Sequence, residues 1–457
     1  MFAAVISVMM ASCGSSDDMQ NDGMSSLTGD MAVNIDCSTQ EAQLVQTRAG
    51  AVGLIRDDSD LQRYGVGVFA YYTGESTWAT AGASTTPNFM YNQFVEYSPV
   101  GLDGSGNDIY GWVYSPKKYW PNDNQPADDS GATGSVAHSY LSFFAYAPYV
   151  ETPGGDYGIT ALTANNATGA PKVTYKWVTD ADSQVDLLWG TRASTTSYNL
   201  ASGGTDAGSG SKTVNTDLTK QTTSEEVDFL FKHALSSFDI WVQRIYDEIT
   251  STGKHPENEV DTKIFVSKVS LTPSADFTTT ADLDLSTGTW SGAVNTAAKA
   301  SVLENSLIVE TLRGTTSNVA ADIRDVELNK WGTTGTGVTE TATRLNQITR
   351  SLIFIPQTVT LTPKLTYSFV TRDDDLQLGY LTDREGHRYK RITQEVTGTP
   401  FDITLESGKK YMMICYIGVE SVRFEVVSVE DWDFPIRLTP SVTNYSEETI
   451  EKTVNED

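Results

Sequence analysis

Short runs in which every second side chain is apolar recur along this chain, and they set its fold class. Val227, Phe229 and Phe231 fall on one parity; after a break at His233-Ala234-Leu235-Ser236, so do Phe238, Ile240 and Val242. Leu365, Tyr367 and Phe369 follow the same rule, as do Val422, Phe424 and Val426. A strand turns successive side chains to opposite faces, so each run lays one face on a core. Val66 and Val68 alternate with glycines ahead of Phe69-Ala70-Tyr71-Tyr72, and Ser142-Phe143-Phe144-Ala145-Tyr146-Ala147-Pro148-Tyr149 is an apolar strand limited by its proline. Short strands separated by turn-forming clusters predict an all-β sandwich rather than a βαβ repeat.

With 457 residues the chain has room for two or three domains and ample core. Helical signals are few: Thr339–Arg350 suits one short helix, and Asp217–Val227 is ambiguous. The glycines of Ala201–Thr213 predict a surface loop, and the low-complexity zone Thr287–Ala298 is the expected joint between two β domains, 41–297 and 298–457. Residues 13–40, polar, acidic and rich in Ser, Asp and Met, read as a flexible tether.

Ahead of that tether an uncharged apolar segment, 1–12, ends at Met10-Ala11-Ser12 just before Cys13. This is the layout of a lipoprotein signal peptide, cut before a cysteine whose thiol then carries lipid; an ordinary secretory signal with an incidental cysteine is the alternative. Met10 stands where such signals usually carry Leu, and no Lys or Arg precedes the apolar run. The segment is too short for a spanning helix. A formal charge of −27 speaks against nucleic acid and against docking on anionic lipid, both of which need clustered Lys and Arg. Membrane association is therefore expected through the lipid anchor only. Beyond Cys13 the cysteines are Cys37 and Cys415; the latter, inside Tyr411-Met412-Met413-Ile414-Cys415-Tyr416-Ile417, reads as a small buried apolar side chain.

Catalytic and metal chemistry find little support. His138, His233, His255 and His387 have no metal-ligand spacing, and His233 beside apolar residues reads as structural. There is no Gly-x-Ser-x-Gly elbow and no His-Glu-x-x-His motif. Asp103-Gly104-Ser105-Gly106-Asn107-Asp108 begins like a calcium loop, but Asp108 occupies the glycine position and Tyr114 the glutamate position, so a hairpin turn explains it better. Gly204–Thr213 lacks the Gly-Lys pair of a phosphate loop, and Asp373-Asp374-Asp375 reads as a solvated loop. Trp78, Trp112, Trp120, Trp189 and Trp241 could stack on sugars, but aromatic residues at strand positions more often fill a core. No enzyme activity, cofactor or metal is expected.

Several segments, in their order along the chain, resemble the fimbrillin-like (Mfa-like) lipoproteins of the Bacteroidales, subunits of type V pili. In the first half these are Phe89-Met90-Tyr91-Asn92-Gln93, Trp112, Lys118-Tyr119-Trp120-Pro121 and Phe143–Tyr149. Gln184-Val185-Asp186-Leu187-Leu188, Phe231-Lys232-His233-Ala234-Leu235, Ile355-Pro356-Gln357-Thr358 and Leu405-Glu406-Ser407-Gly408-Lys409-Lys410-Tyr411 continue the pattern. The similarity covers nearly all of the chain beyond the tether.

The resemblance implies two tandem transthyretin-like β-sandwich domains, export as an outer-membrane, cell-surface lipoprotein, and assembly with other fimbrillin-like subunits into a pilus for cell adhesion. In that family a trypsin-like protease cuts after an arginine near the start of the first domain. Loss of the N-terminal strand opens a groove that a neighbour's strand fills, which is β-augmentation. Arg48 is the first candidate for the cut and Arg56 the second, a strand-edge arginine being the plain alternative. Phe434, Ile436, Leu438 and Val442 share one parity of the C-terminal tail and suit a donor strand, unless that segment completes its own domain. The rival function is a non-polymerising surface lipoprotein or tip adhesin that binds glycan or a host protein.

Overall fold

The computed structural model describes residues 32–39, 55, 57–121, 139–178, 183–192, 214–219, 226–244, 262–295, 310–312, 323–324, 326–327, 332–334, 337–339, 343–344, 352–378, 381–382, 388–417 and 422–431. Among these the chain is overwhelmingly strand. β1 (Asn34–Thr39), the helix α1 (Asp58–Tyr64), β2 (Val66–Gly74), β3 (Met90–Leu102), β4 (Asp108–Val113) and β5 (Tyr140–Ala147) come first. β6 (Ile159–Leu162), β7 (Lys172–Lys176), β8 (Leu188–Arg192), β9 (Asn215–Leu218) and β10 (Glu226–His233) follow. Then come β11 (Ser236–Arg244), β12 (Thr262–Pro273), β13 (Thr280–Asp284) and β14 (Thr289–Val294).

An eight-stranded sheet runs in the order β1-β10-β8-β5-β2-β3-β4, with β9 also on β5. A four-stranded sheet, β14-β13-β7-β6, covers one of its faces. The central strands β2 and β5 therefore bury both faces, which is why their sequences read as continuous apolar runs. Phe69, Tyr71, Phe144 and Tyr146 point to the core shared with Val173, Tyr175, Ala281 and Leu283. Val68, Ala70, Phe143 and Ala145 point the other way, into a second core with Val227, Phe229 and Phe231. Along β10 the apolar parity read from the sequence, Val227, Phe229 and Phe231, is buried, and Asp228 on the other parity is nearly so.

The later strands build two further sheets. Lys409–Ile417 and Val422–Asp431 join β11 in one; Gln357–Arg372, Arg388–Thr397 and Phe401–Leu405 join β12 in the other. The division expected at 297/298 is thus corrected by the pairing. β11 and β12, before 297, pair with strands beyond 350, while β13 and β14 return to β7. The break at His233–Ser236 is where the chain passes between sheets: Ala234 and Leu235 are buried there. The Ala234 carbonyl accepts from Trp290 Nε1 and from Ser407 Oγ, both at 2.9 Å. Buried residues with satisfied carbonyls make a crossover, not a linker.

Thr287–Ala298, expected to be that joint, instead holds the end of the β13–β14 turn and all of β14. Gly288 sits at φ +69° with its α-carbon against the ring of Trp189, so this turn needs a residue without a Cβ. Two other expectations are corrected. The tether does not extend to residue 40, because Asn34–Thr39 is a strand with Ile35 and Cys37 buried. In the span expected to be a helix, 339–350, the described residues Thr339 and Thr343–Arg344 are strand. The ambiguous Asp217–Val227 is strand at both described ends, in β9 and β10. The loop Ala201–Thr213 lies outside the described residues. α1, unread from the sequence, starts where the Asp57 carboxylate accepts from the Asp60 amide at 2.9 Å.

Candidate assembly interface

β1 is the element whose place in the fold bears most on function. It pairs in parallel with β10, in register from Asn34↔Glu226 to Thr39↔Phe231. The sheet curls so that the other side of β1 meets the segment after β4. Val33 N–H donates to the Lys118 carbonyl at 2.9 Å, and Ala32 bridges Tyr119. Tyr114 Oη–H donates to the Val33 carbonyl at 2.6 Å, and Trp112 Nε1–H to the Cys37 carbonyl at 2.8 Å. β1 is therefore a stave set between β10 and residues 112–119.

Parity divides its labour. The odd-numbered residues turn their backbone groups to the 112–119 side and their side chains inward, where Val33, Ile35 and Cys37 are buried in the second core. Their even-numbered neighbours Asn34, Asp36 and Ser38 turn backbone groups to β10 and side chains outward, where they are half-buried. The strand is clamped at its end by Asp58 of α1, whose Oδ1 accepts from Thr39 N at 2.5 Å and Thr39 Oγ1 at 2.7 Å. Burial pushes the Tyr114 hydroxyl up to about 12 and holds the Cys37 thiol well above its ordinary value, so Cys37 stays neutral.

On the outward face Asp36, Glu226 and Asp228 bring one carboxylate oxygen each within 4.8 Å of one another. Burial is the main cause that raises the Asp36 carboxyl, with Asp58 adding repulsion and the Cys37 amide opposing it. Such a trio is the one described group whose spacing could hold a metal ion, and the carboxylates supply nothing further that identifies one. Their signal in the sequence was the alternation Glu226-x-Asp228, but only the parallel pairing with β1 brings Asp36 beside them.

Other candidates resolve into structure. His233 Nδ1 lies 2.8 Å from Asp186 Oδ2, a carboxylate that is fully buried. The same carboxylate accepts from the amides of Leu187 and Ile55, so the pair ties β10 to two loops. Asp103 closes the β3–β4 hairpin by accepting from Ser105 N and Asn107 N, each at 2.8 Å, which lowers its carboxyl chiefly through the Asn107 side chain. Asp373 and Asp374 accept from the amides of Asp375 and Arg388. Among the tryptophans, Trp120 is buried, Trp78 packs on the core, and Trp112 and Trp189 donate to carbonyls. Trp241's side chain, His138, His255 and His387 lie outside the described residues, as do Cys13, Arg48, Arg56, Phe434, Ile436, Leu438 and Val442.

Comparison with known proteins finds relatives over most of this length. The chain is 25% identical over 388 residues to "Fimbrium subunit Fim1C" of Phocaeicola vulgatus, covering 80% of this chain and 82% of that one. Its fold is similar to the crystal structure of a fimbrial protein from Bacteroides vulgatus, with a TM-score of 0.56 and 22% identity over 88% of this chain and 99% of that one. No family model matches. The likeness to Bacteroidales fimbrial proteins carried by the scattered motifs is thus found again over most of the chain.

Proposed function

We propose that this chain is a structural subunit of a surface fimbria, without catalytic activity, that assembles by exchanging β1 for a strand from a neighbouring subunit. The observation that carries the reading is the seat of β1. It is the first described strand, it precedes both Arg48 and Arg56, and it closes a core between β10 and residues 112–119. A cut at either arginine severs β1 from the body while leaving every strand around it in one piece. Burial of Val33 and Ile35 is worth roughly 1.5–3 kcal/mol for each side chain, so an emptied seat strongly favours a replacement. An apolar groove flanked by unpaired backbone is the template that β-augmentation uses.

On this reading residues 1–12 are a signal, Cys13 is lipidated and the precursor is held at the outer membrane on the cell surface. The two pairs of sheets are then transthyretin-like sandwiches, and the partners are other subunits of the same kind. The likeness to a fimbrium subunit supports the assembly role. Limited trypsin treatment of the purified precursor, followed by sizing, tests the reading. Cut protein is expected to polymerise while uncut protein stays monomeric; cut protein that remains monomeric at high concentration defeats it. Mass spectrometry of the N-terminus from surface-extracted material separates a lipidated Cys13 start from a start at Ala49.

A further inference from the structure

We propose that the outer half of the β3–β4 hairpin, residues 97–110, is a separate docking surface for a second copy of this chain, the copy whose strand enters the β1 seat. This rests on the strand-exchange reading above and adds a contact outside the seat, made by a different set of side chains.

The hairpin has the composition of buried structure in an exposed place. Pairing sets Tyr97 opposite Trp112 and Pro99 opposite Tyr110, so these four share one face; beyond the irregularity at Val100, Leu102 joins them opposite Asp108. Ile109 turns to the other face, as does Val100 where it lies over Gly111. Near the body the first face is covered, because Trp112 packs on the second core. Toward the turn the cover ends: Leu102 is 66% exposed, Val100 53%, Tyr110 50% and Ile109 46%. A hairpin apolar on both faces belongs between layers, and apolar side chains gathered in the open mark an interaction surface.

The hairpin is also held ready. The Asp103 carboxylate accepts from the amides of Ser105 and Asn107 and from Asn107 Nδ2 at 2.9 Å, and the Asp103 amide donates to the Asn107 carbonyl at 2.8 Å. Tyr97 and Tyr110 stack at 5.8 Å, so the exposed ring is set before a partner arrives. Little ordering is left to be done on contact.

Its place beside the seat names the occupant. Ala32 and Val33 meet Tyr119 and Lys118, whereas Cys37 meets Trp112, so β1 and this segment run in opposite directions. Past Cys37 the line of the seat therefore follows β4 outward, from Trp112 to Tyr110 and the turn. β4 is the last strand in its sheet's order, and its outer edge continues the edge that holds β1. A strand lodged in the seat, whichever way it runs, leaves one end beside this hairpin, and the copy it belongs to is the molecule at hand. Copies with a formal charge of −27 repel one another and meet best where fixed charge is sparse. Of the two acids between Tyr97 and Tyr110, Asp103 turns its carboxylate inward on the turn, which leaves Asp108. A hairpin of this size offers roughly half of the 20–30 residues that one side of a stable interface uses. Alone it leaves uncut copies apart; once the seat is occupied it extends a contact already made.

The test uses the full chain, cut with trypsin, with assembly followed by light scattering. Leu102→Ser combined with Ile109→Ser and Tyr110→Ser is expected to slow assembly by on the order of tenfold or more, the scale of losing interface side chains that matter. The uncut variant is expected to melt with wild type. Leu378→Ser, which removes an apolar side chain that is 77% exposed and outside the hairpin, is expected to assemble as wild type does. A photo-crosslinking residue, Leu102→benzoylphenylalanine, is expected to join two copies only after the cut. If the triple variant melts early, Leu102→Ser alone and the cross-link decide. Assembly of the serine variants at the wild-type rate, or no cross-link between cut copies, overturns the inference and leaves strand exchange standing. A cross-link between uncut copies overturns the tie to the seat. Wild-type cut protein that stays monomeric defeats the strand-exchange reading and this inference with it.

Discussion

Trp112 and Cys37 lie 75 residues apart, yet the indole N–H of the first donates to the carbonyl of the second at 2.8 Å and pins the middle of β1. The ring belongs to β4 and also meets Tyr97 edge-on at 5.5 Å, so its position is fixed from both sides. Phenylalanine at 112 keeps a ring beside Tyr97 but removes the donor together with the packing of the indole's second ring. A single lost hydrogen bond of this kind costs about 1 kcal/mol, which is about a fivefold change in the opening of β1. Cys37, buried and free, reports that opening through its thiol. Trp112→Phe is expected to label at least about fivefold faster than wild type with a thiol reagent; equal rates would show that the carbonyl cap does not hold the strand.

Asp36 gives the seat a pH dependence with a definite sign. Its carboxyl is raised above the ordinary 3.8 by burial first and by Asp58 in addition, and Glu226 and Asp228 face it from β10. A raised carboxyl stabilises the folded state below its unfolded value and loses that contribution as pH climbs through the folded value. β1 is therefore expected to be seated more firmly in acid than at neutral pH. Asp36→Asn is expected to slow Cys37 labelling at pH 7 and to leave it unchanged below 3.8, measured with dithiodipyridine, which reacts in acid. A variant that labels like wild type at pH 7 would remove the electrostatic cost from the account of β1.

The strands were legible where one face is buried and one is not, as in Val227, Phe229 and Phe231. Their partners were not, because parity fixes a face and says nothing about which sheet receives it. The break at His233–Ser236 was visible, yet it read as an interruption, since Ala234 and Leu235 look like any apolar pair until Trp290 and Ser407 are seen bonding across them. β1 was hidden by composition: Asp36, Ser38 and Asn34 are its outward face and made the segment resemble the polar tether before it. α1 has seven residues, too few for a periodic pattern to show.

Asp186 supports the seat from the far end of β10. Its buried carboxylate meets His233 Nδ1 at 2.8 Å, the Leu187 amide at 2.9 Å and the Ile55 amide at 3.4 Å. Alanine there removes a buried acceptor from three polar groups at once. The expected loss is about 3 kcal/mol in urea unfolding, since removing a buried acceptor leaves its donors desolvated. Asp186→Asn, which keeps an acceptor, is expected to lose less. A loss under about 1 kcal/mol for the alanine variant would mean that water replaces the carboxylate.

The return of β13 and β14 to β7 bears on how the protein can be divided. β11 pairs in parallel with Lys409–Ile417, and β12 pairs along most of Gln357–Arg372. A fragment ending at 297 keeps β11 and β12 but removes both partners, exposing Phe238, Ile240 and Leu271, all fully buried in the whole chain. It also removes Ile353, whose carbonyl accepts from Trp177 Nε1 at 2.5 Å and whose amide donates to Gln184. Unpaired strand edges beside bare apolar faces aggregate rather than fold. Fragment 1–297 is therefore expected to bind a hydrophobic dye and to lack a cooperative melt, while the whole chain unfolds in one transition. A soluble 1–297 with its own sharp thermal transition would show that the first pair of sheets folds without the strands that interleave with it.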